Sequence, residues 1–163
     1  RMKTYRRKRI PIGYVVPAQV LPSKTPITIR TIEDDLDLII SEQTYIMIDL
    51  QGKVSVKSKE EFHEHYLPTQ DTYHPRALYL PTMKNRLTGT QISLSGYIHS
   101  CIPLKTTIVQ AYPLERACKV FPLWDEEKYL SGNIGDYLAV LKDQPDHLFI
   151  VEKEVFEQTY ELI

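Results

Sequence analysis

GDYLAVLKDQPDHLFIVEKEVFEQTYELI, residues 135–163, reads as a strand, a turn, a second strand and a short closing helix. A weaker copy, YIMIDLQGKVSVKSKEEFHEHY, occupies residues 45–66. The two share a register: Lys59-Glu60-x-Phe62-x-x-x-Tyr66 matches Lys153-Glu154-x-Phe156-x-x-x-Tyr160, and Val54 and Val56 fall on Leu148 and Ile150. Aromatic residues four apart lie on one face of a helix, so Phe62 and Phe156 are expected at equivalent buried positions. In the first copy Gln51-Gly52 makes a tight turn, with glycine supplying the positive φ. Ser58-x-x-Glu61 is a capping box that starts the helix, and Leu67-Pro68 ends it, because the residue before proline avoids the α region. In the second copy Gly135-Asp136 turns into a strand over 137–141, residues 142–147 form a longer hairpin turn, and the helix is expected over 153–162.

The fold expected from this pattern is α+β: two β-rich repeats, each ending in a short helix, related by a pseudo-twofold, with a β-containing insert between them. The boundaries are 1–68, 69–110 and 111–163, all within one compact domain, as a chain of 163 residues allows. Residues 5–22 read as an edge strand or a broken one, since Pro11, Pro17 and Pro22 each remove a ladder N–H. Residues 26–32 alternate as a half-buried strand, Leu36, Leu38 and Ile40 as another, and 45–50 form an apolar run suited to a strand covered on both faces. Residues 112–122 are extended. A structureless insert of this length is implausible, so strands are expected at 77–80, 91–98 and 106–110.

The residues around Gly135-Asp136-Tyr137, together with Phe156, Thr159, Tyr160 and Glu161, resemble small bacterial and phage proteins with a PGDYG-type domain. In the first copy Thr31-Ile32-Glu33 is similar to that family's Thr-Leu-Glu element. The match is incomplete: Ile134 stands where the family has proline, and Gln43-Thr44 replaces Gly-Asp before Tyr45. The resemblance covers about 50 residues near each end and none of the insert. It implies a fold and a phage or bacterial origin, and brings no established activity, so it implies no catalytic residues.

Composition narrows the classes. An apolar fraction of 42% and a charged fraction of 25% are those of an ordinary globular protein. No apolar run approaches the ~18 residues of a membrane span, so no membrane partner is expected and the cytoplasm is the expected compartment. Cys101 and Cys118 form no disulfide framework and are expected as free thiols without metal. Arg1, Lys3, Arg6, Arg7, Lys8 and Arg9 open the chain, while the other 153 residues hold the remaining 14 basic side chains and all 21 acids. That asymmetry favours association between the two ends, within one molecule or between two.

Four places carry candidate chemistry. His63 and His65 on a helix point about 200° apart and cannot share a metal. His99 and Cys101 alternate on a strand and face one way, which suits part of a zinc site or a Cys/His pair, against the plainer reading of a core thiol beside a half-buried histidine. Arg6, Arg7, Lys8 and Arg9 are candidate phosphate contacts for nucleic acid, or simply a solvated edge strand. The insert gathers Tyr73, His74, Arg76, Tyr79, Lys84 and Arg86, cations among aromatics that suit a small anionic, planar ligand such as a nucleotide. The function expected is a non-enzymatic binding or interaction module, with self-association as a partner mode. Its alternatives are a nucleotide-like ligand bound through the insert, or nucleic acid bound through the basic N-terminal arm. No catalytic residue, cofactor or metal is assigned.

Overall fold

The computed structural model describes residues 1–73, 79–121 and 129–163. It forms two compact units: Arg1–Arg9 with Lys105–Ile163, and Ile10–Leu104. Each is built on a five-stranded antiparallel sheet.

In the unit Ile10–Leu104 the sheet contains β2 (Ile12–Val15), β5 (Thr44–Ile48), β6 (Val54–Ser58), β7 (Tyr66–Thr72) and β10 (His99–Pro103), in the order β6-β5-β2-β10-β7. Helix α1 (Lys59–His65) connects β6 to β7. A second sheet has the order β4-β3-β8-β9, from β3 (Pro26–Arg30), β4 (Asp35–Ile39), β8 (Thr82–Asn85) and β9 (Gln91–Ser93). Alternate residues of a strand point to opposite faces. Tyr45 and Met47 therefore join Ile12, Tyr14, Cys101 and Phe62 on the α1 side. Ile46 and Ile48 join Val15, Ile27, Ile29, Met83 and Leu94 on the other. This two-sided burial explains why residues 45–50 are so continuously apolar.

In the other unit the sheet contains β1 (Lys3–Arg7), β11 (Ile108–Pro113), β14 (Tyr137–Leu141), β15 (Gln144–Val151) and β16 (Tyr160–Leu162), in the order β15-β14-β11-β1-β16. Helix α2 (Lys153–Thr159) joins β15 to β16, and a ribbon of β12 (Cys118–Val120) and β13 (Leu130–Gly132) completes the unit. Val109, Ala111, Ala139 and Phe156 form the core on the α2 side, with Tyr5, Tyr137, Phe149 and Tyr160 packed against it.

The α+β expectation, with two repeats each ending in a short helix, is overturned. The chain is mostly β: sixteen strands and two short α-helices among the described residues. Neither helix ends its unit. Each stops short of its expected end, α1 at His65 and α2 at Thr159, where Tyr66 and Tyr160 enter extended conformation at φ −133° and −122° and their N–H groups bond to the carbonyls of Phe62 and Phe156. Residues 160–162, expected as the end of the second helix, are a strand pairing with β1. Consequently β1 is an interior strand between β11 and β16, where an edge strand was expected.

The segment 69–110 belongs to no single insert, since it supplies β8 and β9, β10 and the start of β11. The strand expected over 91–98 is confined to 91–93, and the one expected over 106–110 begins at Ile108. Of 77–80, residues 77 and 78 lie outside the described residues, and 79–80 are not in a strand.

Candidate functional site

The motif residues are explained by local geometry. Gly135 has φ +90°, and a Cβ there would lie 3.3 Å from Lys153 Cδ. Beside it, Asp136 Oδ2 accepts from the Asn133 N–H at 2.9 Å and Oδ1 from the Lys153 N–H at 3.2 Å, tying the turn to the start of α2. In the other unit the first helical N–H, that of Lys59, bonds to the Gln43 carbonyl at 2.7 Å. Ser58 and Glu61 there form the capping box. The hydrogen bonds from Ser58 hold the Glu61 carboxyl below its usual range.

The insert residues do not converge. His74 and Arg76 lie outside the described residues. Tyr73 is buried, its ring lying over Gly13. A Cβ on Gly13 would sit 2.8 Å from Tyr73 Cε2 and 2.8 Å from Ile98 Cγ2. Gly13→Ala is therefore expected to lower stability by about 1–3 kcal/mol through overpacking, read by urea denaturation. Tyr79 is exposed, and its hydroxyl donates to the Arg30 carbonyl at 3.4 Å. Arg86 donates to the carbonyls of Ile27 and Leu38, at 3.3 and 3.4 Å, clamping the β3–β4 hairpin. Lys84 lies across from Thr28 on β3, and Thr28 donates to Asp37 at 2.5 Å. Lys84, Thr28 and Asp37 thus share a polar row on the face away from the core.

The basic arm is divided by its strand. Arg6 donates through Nε and Nη2 to Glu161 Oε1, at 3.0 and 2.7 Å. Arg7 points to the opposite face, opposite Tyr160, whose hydroxyl pKa is raised by burial. Lys8 and Arg9 are exposed in the link that follows. The four cations therefore present no single continuous face.

His99 and Cys101 do face one way, as expected; Cys101 is the core thiol of the plain reading, whereas His99 is exposed where a half-buried histidine was expected. Gln19 Oε1 accepts from His99 Nε2 at 2.8 Å, and the His99 ring lies 5.2 Å from that of Tyr14. The buried Cys101 thiol donates to the Ile12 carbonyl at 3.7 Å, and burial pushes its pKa up to about 12. A thiol held protonated is not a nucleophile. Iodoacetamide at pH 8 is expected to modify half-buried Cys118 in the native protein, and Cys101 only after unfolding, as mass spectrometry would show. Because the folded pKa lies above the ordinary value of 9.0, the folded state keeps a proton that the unfolded state loses. This contribution is intact below about pH 9 and is lost as pH rises toward 12. Cys101→Ala is expected to flatten that part of the alkaline unfolding curve.

Two further features were not read from the sequence. Phe121 and Tyr129 are both exposed, with ring centroids 5.6 Å apart just beyond the Val120–Leu130 pair of the β12–β13 ribbon, and Lys119 Nζ lies 4.6 Å above the Tyr129 ring. A half-open cavity of about 250 Å³ is lined by Arg1, Tyr112, Leu114, Glu115, Arg116 and Cys118. The β-ribbon that carries the aromatic pair has no strong signal of its own, because each of its strands has only three residues.

No helix of the described residues is long and apolar enough to cross a membrane, and no group of three His, Cys, Asp or Glu among them is placed to hold a metal. No known family profile, curated protein or solved structure matches the chain.

Proposed function

We propose that this protein is a non-enzymatic interaction module whose contact surface is the aromatic end of the β12–β13 ribbon. The observation that carries the reading is the exposed pair Phe121 and Tyr129, 59% and 48% accessible, with the Lys119 ammonium over one ring. Exposed aromatics beside a cation are the composition of protein-contact hot spots, and an apolar patch that costs solubility is seldom kept without use. The side chains with reactive potential support the same reading, because they serve the framework: Cys101, His99, Arg86, Asp136 and Arg6 each have a protein partner. Self-association is the partner mode to test first. Sedimentation velocity over a concentration series should show reversible association that weakens at least tenfold in Phe121→Ser/Tyr129→Ser, with the melting temperature unchanged. Equal association in the variant would reject the surface.

One observation favours a second reading, a small anionic, planar ligand. The cavity beside β12 has Arg1, Arg116 and Tyr112 in its lining, and guanidinium groups pair with phosphate in a fork. This moves the nucleotide-like ligand from the insert to the β11–β12 connection. A nucleotide panel should raise the melting temperature, and Arg116→Ala should remove that rise.

A further inference from the structure

We infer that β1 is an exchangeable strand, and that the slot between β11 and β16 takes β1 from a second copy of this chain to give a strand-exchanged dimer. The inference rests on pairing registers and is independent of the aromatic ribbon.

The two five-stranded sheets correspond strand for strand. Aligned on Tyr45/Tyr137 and Phe62/Phe156, β6-β5-β2-β10-β7 falls on β15-β14-β11-β1-β16. The registers agree as well. Met47 pairs with Tyr14 as Ala139 pairs with Ala111, and Ile12 pairs with Cys101 as Val109 pairs with Tyr5. Pro103 pairs with Tyr66 as Arg7 pairs with Tyr160. Even the bond beyond the strand recurs: the Leu104 N–H donates to His65 at 2.9 Å, and the Lys8 N–H to Thr159 at 2.7 Å.

The order along the chain does not correspond. β1 runs through a short link, Lys8–Pro11, into β2, and β10 runs through an equally short link into β11. Yet β1 is absent from the sheet of β2, and β10 from the sheet of β11; each pairs in the sheet that its link leaves. The first strand of each half has been exchanged into the other half's sheet. The local alternative, a β1–β2 hairpin in the β10 register, would close on Lys8-Arg9. A two-residue hairpin turn needs positive φ at its centre and so favours glycine or asparagine, which this turn lacks. β1 is thereby kept from its nearest partner and made available to a distant one.

A strand that reaches its slot through a link rather than a hairpin makes the same contacts whichever copy supplies it. Exchange between identical chains is then a low-cost route to a dimer, set by concentration. Nothing chemical distinguishes the β1 of one copy from that of another.

The test uses the full chain in a Cys118→Ser background. Arg6 and Glu161 are direct partners across β1 and β16. One variant carries both Arg6→Cys and Glu161→Cys, and its intramolecular disulfide under oxidised glutathione establishes that the pair is bridgeable. Two further variants carry one cysteine each. They are mixed at millimolar concentration, unfolded, refolded together and oxidised. The expected result is a covalent dimer of twice the chain mass containing one of each variant. A control mixture of Arg6→Cys with Gln158→Cys should form at least tenfold less. The inference is overturned if the double variant bridges within one chain while the mixture gives no dimer, or if the control mixture forms as much.

Discussion

Phe156→Ala is expected to lower the stability of the β1/β11/β14–β16 unit by about 3–5 kcal/mol. The ring is 1% exposed and sits in a stack, 3.9 Å from Tyr137 and 4.6 Å from Tyr160, with Tyr5 edge-on at 4.9 Å. Removing it leaves a cavity that neither the sheet nor a helix of seven residues can close by shifting. It also removes ring–ring contacts worth about 0.5–1.5 kcal/mol each. Phe156→Leu separates the two terms, since it keeps most of the volume and loses the three ring contacts; at least about 1.5 kcal/mol is expected from it. Phe62→Ala should cost a similar amount in the other unit, where Tyr14, Tyr45 and Tyr66 ring the side chain at 4.5, 4.9 and 5.7 Å. Urea unfolding followed by tyrosine fluorescence measures all three. A loss under about 1 kcal/mol for either alanine would mean that the aromatic cluster does not organise its unit.

That register of phenylalanine and tyrosine was legible because it is local. Residues four apart meet on a helix whatever surrounds them, and the capping box at Ser58 marks the helix start without reference to the rest of the chain. The strand 26–30 was legible through its alternation, read as reaching residue 32, and the strand 137–141 through the Gly135-Asp136 turn that precedes it. What failed depends on distant partners. Period-two alternation assigns faces and says nothing of neighbours, so Lys3–Arg7, placed between β11 and β16, looked like an edge. Long basic side chains deepen that ambiguity, because their stems cover apolar surface while their charges stay in water. The helices were drawn too long because Tyr66 and Tyr160 satisfy the helical pattern with their rings while their backbones have already turned extended. In the candidate site, Arg86 looked free to hold an anion because its partners are backbone carbonyls of β3 and β4, which carry no residue-type signature.

The two slots differ in the size of the side chain they accept at one position. Tyr5 and Cys101 hold the same position in the two sheets, and their surroundings are opposite in size. Around Tyr5 the neighbouring strands contribute Ala111 and Ala139, whereas around Cys101 the corresponding residues are Tyr14 and Met47. A large side chain meets small neighbours in one sheet, and a small one meets large neighbours in the other. Tyr5→Cys should therefore leave a void beside Phe156 and cost on the order of 3 kcal/mol. Cys101→Tyr has no room beside Phe62, which is fully buried, and should cost at least about 1–3 kcal/mol by overpacking. The combined variant decides whether size or linkage governs placement. If both strands stay where they are, the two losses add to within about 0.5 kcal/mol, since the substitutions lie in separate units. If size alone governs, the strands trade slots, the new tyrosine again faces Ala111 and Ala139, and most of the loss disappears. Additivity is the expected outcome, because trading slots would force Lys8-Arg9 into a hairpin turn that neither residue favours. Replacing those two residues with Asn-Gly in the combined variant should then release the block and recover stability, and a failure to recover any would show that the slots do not discriminate by size.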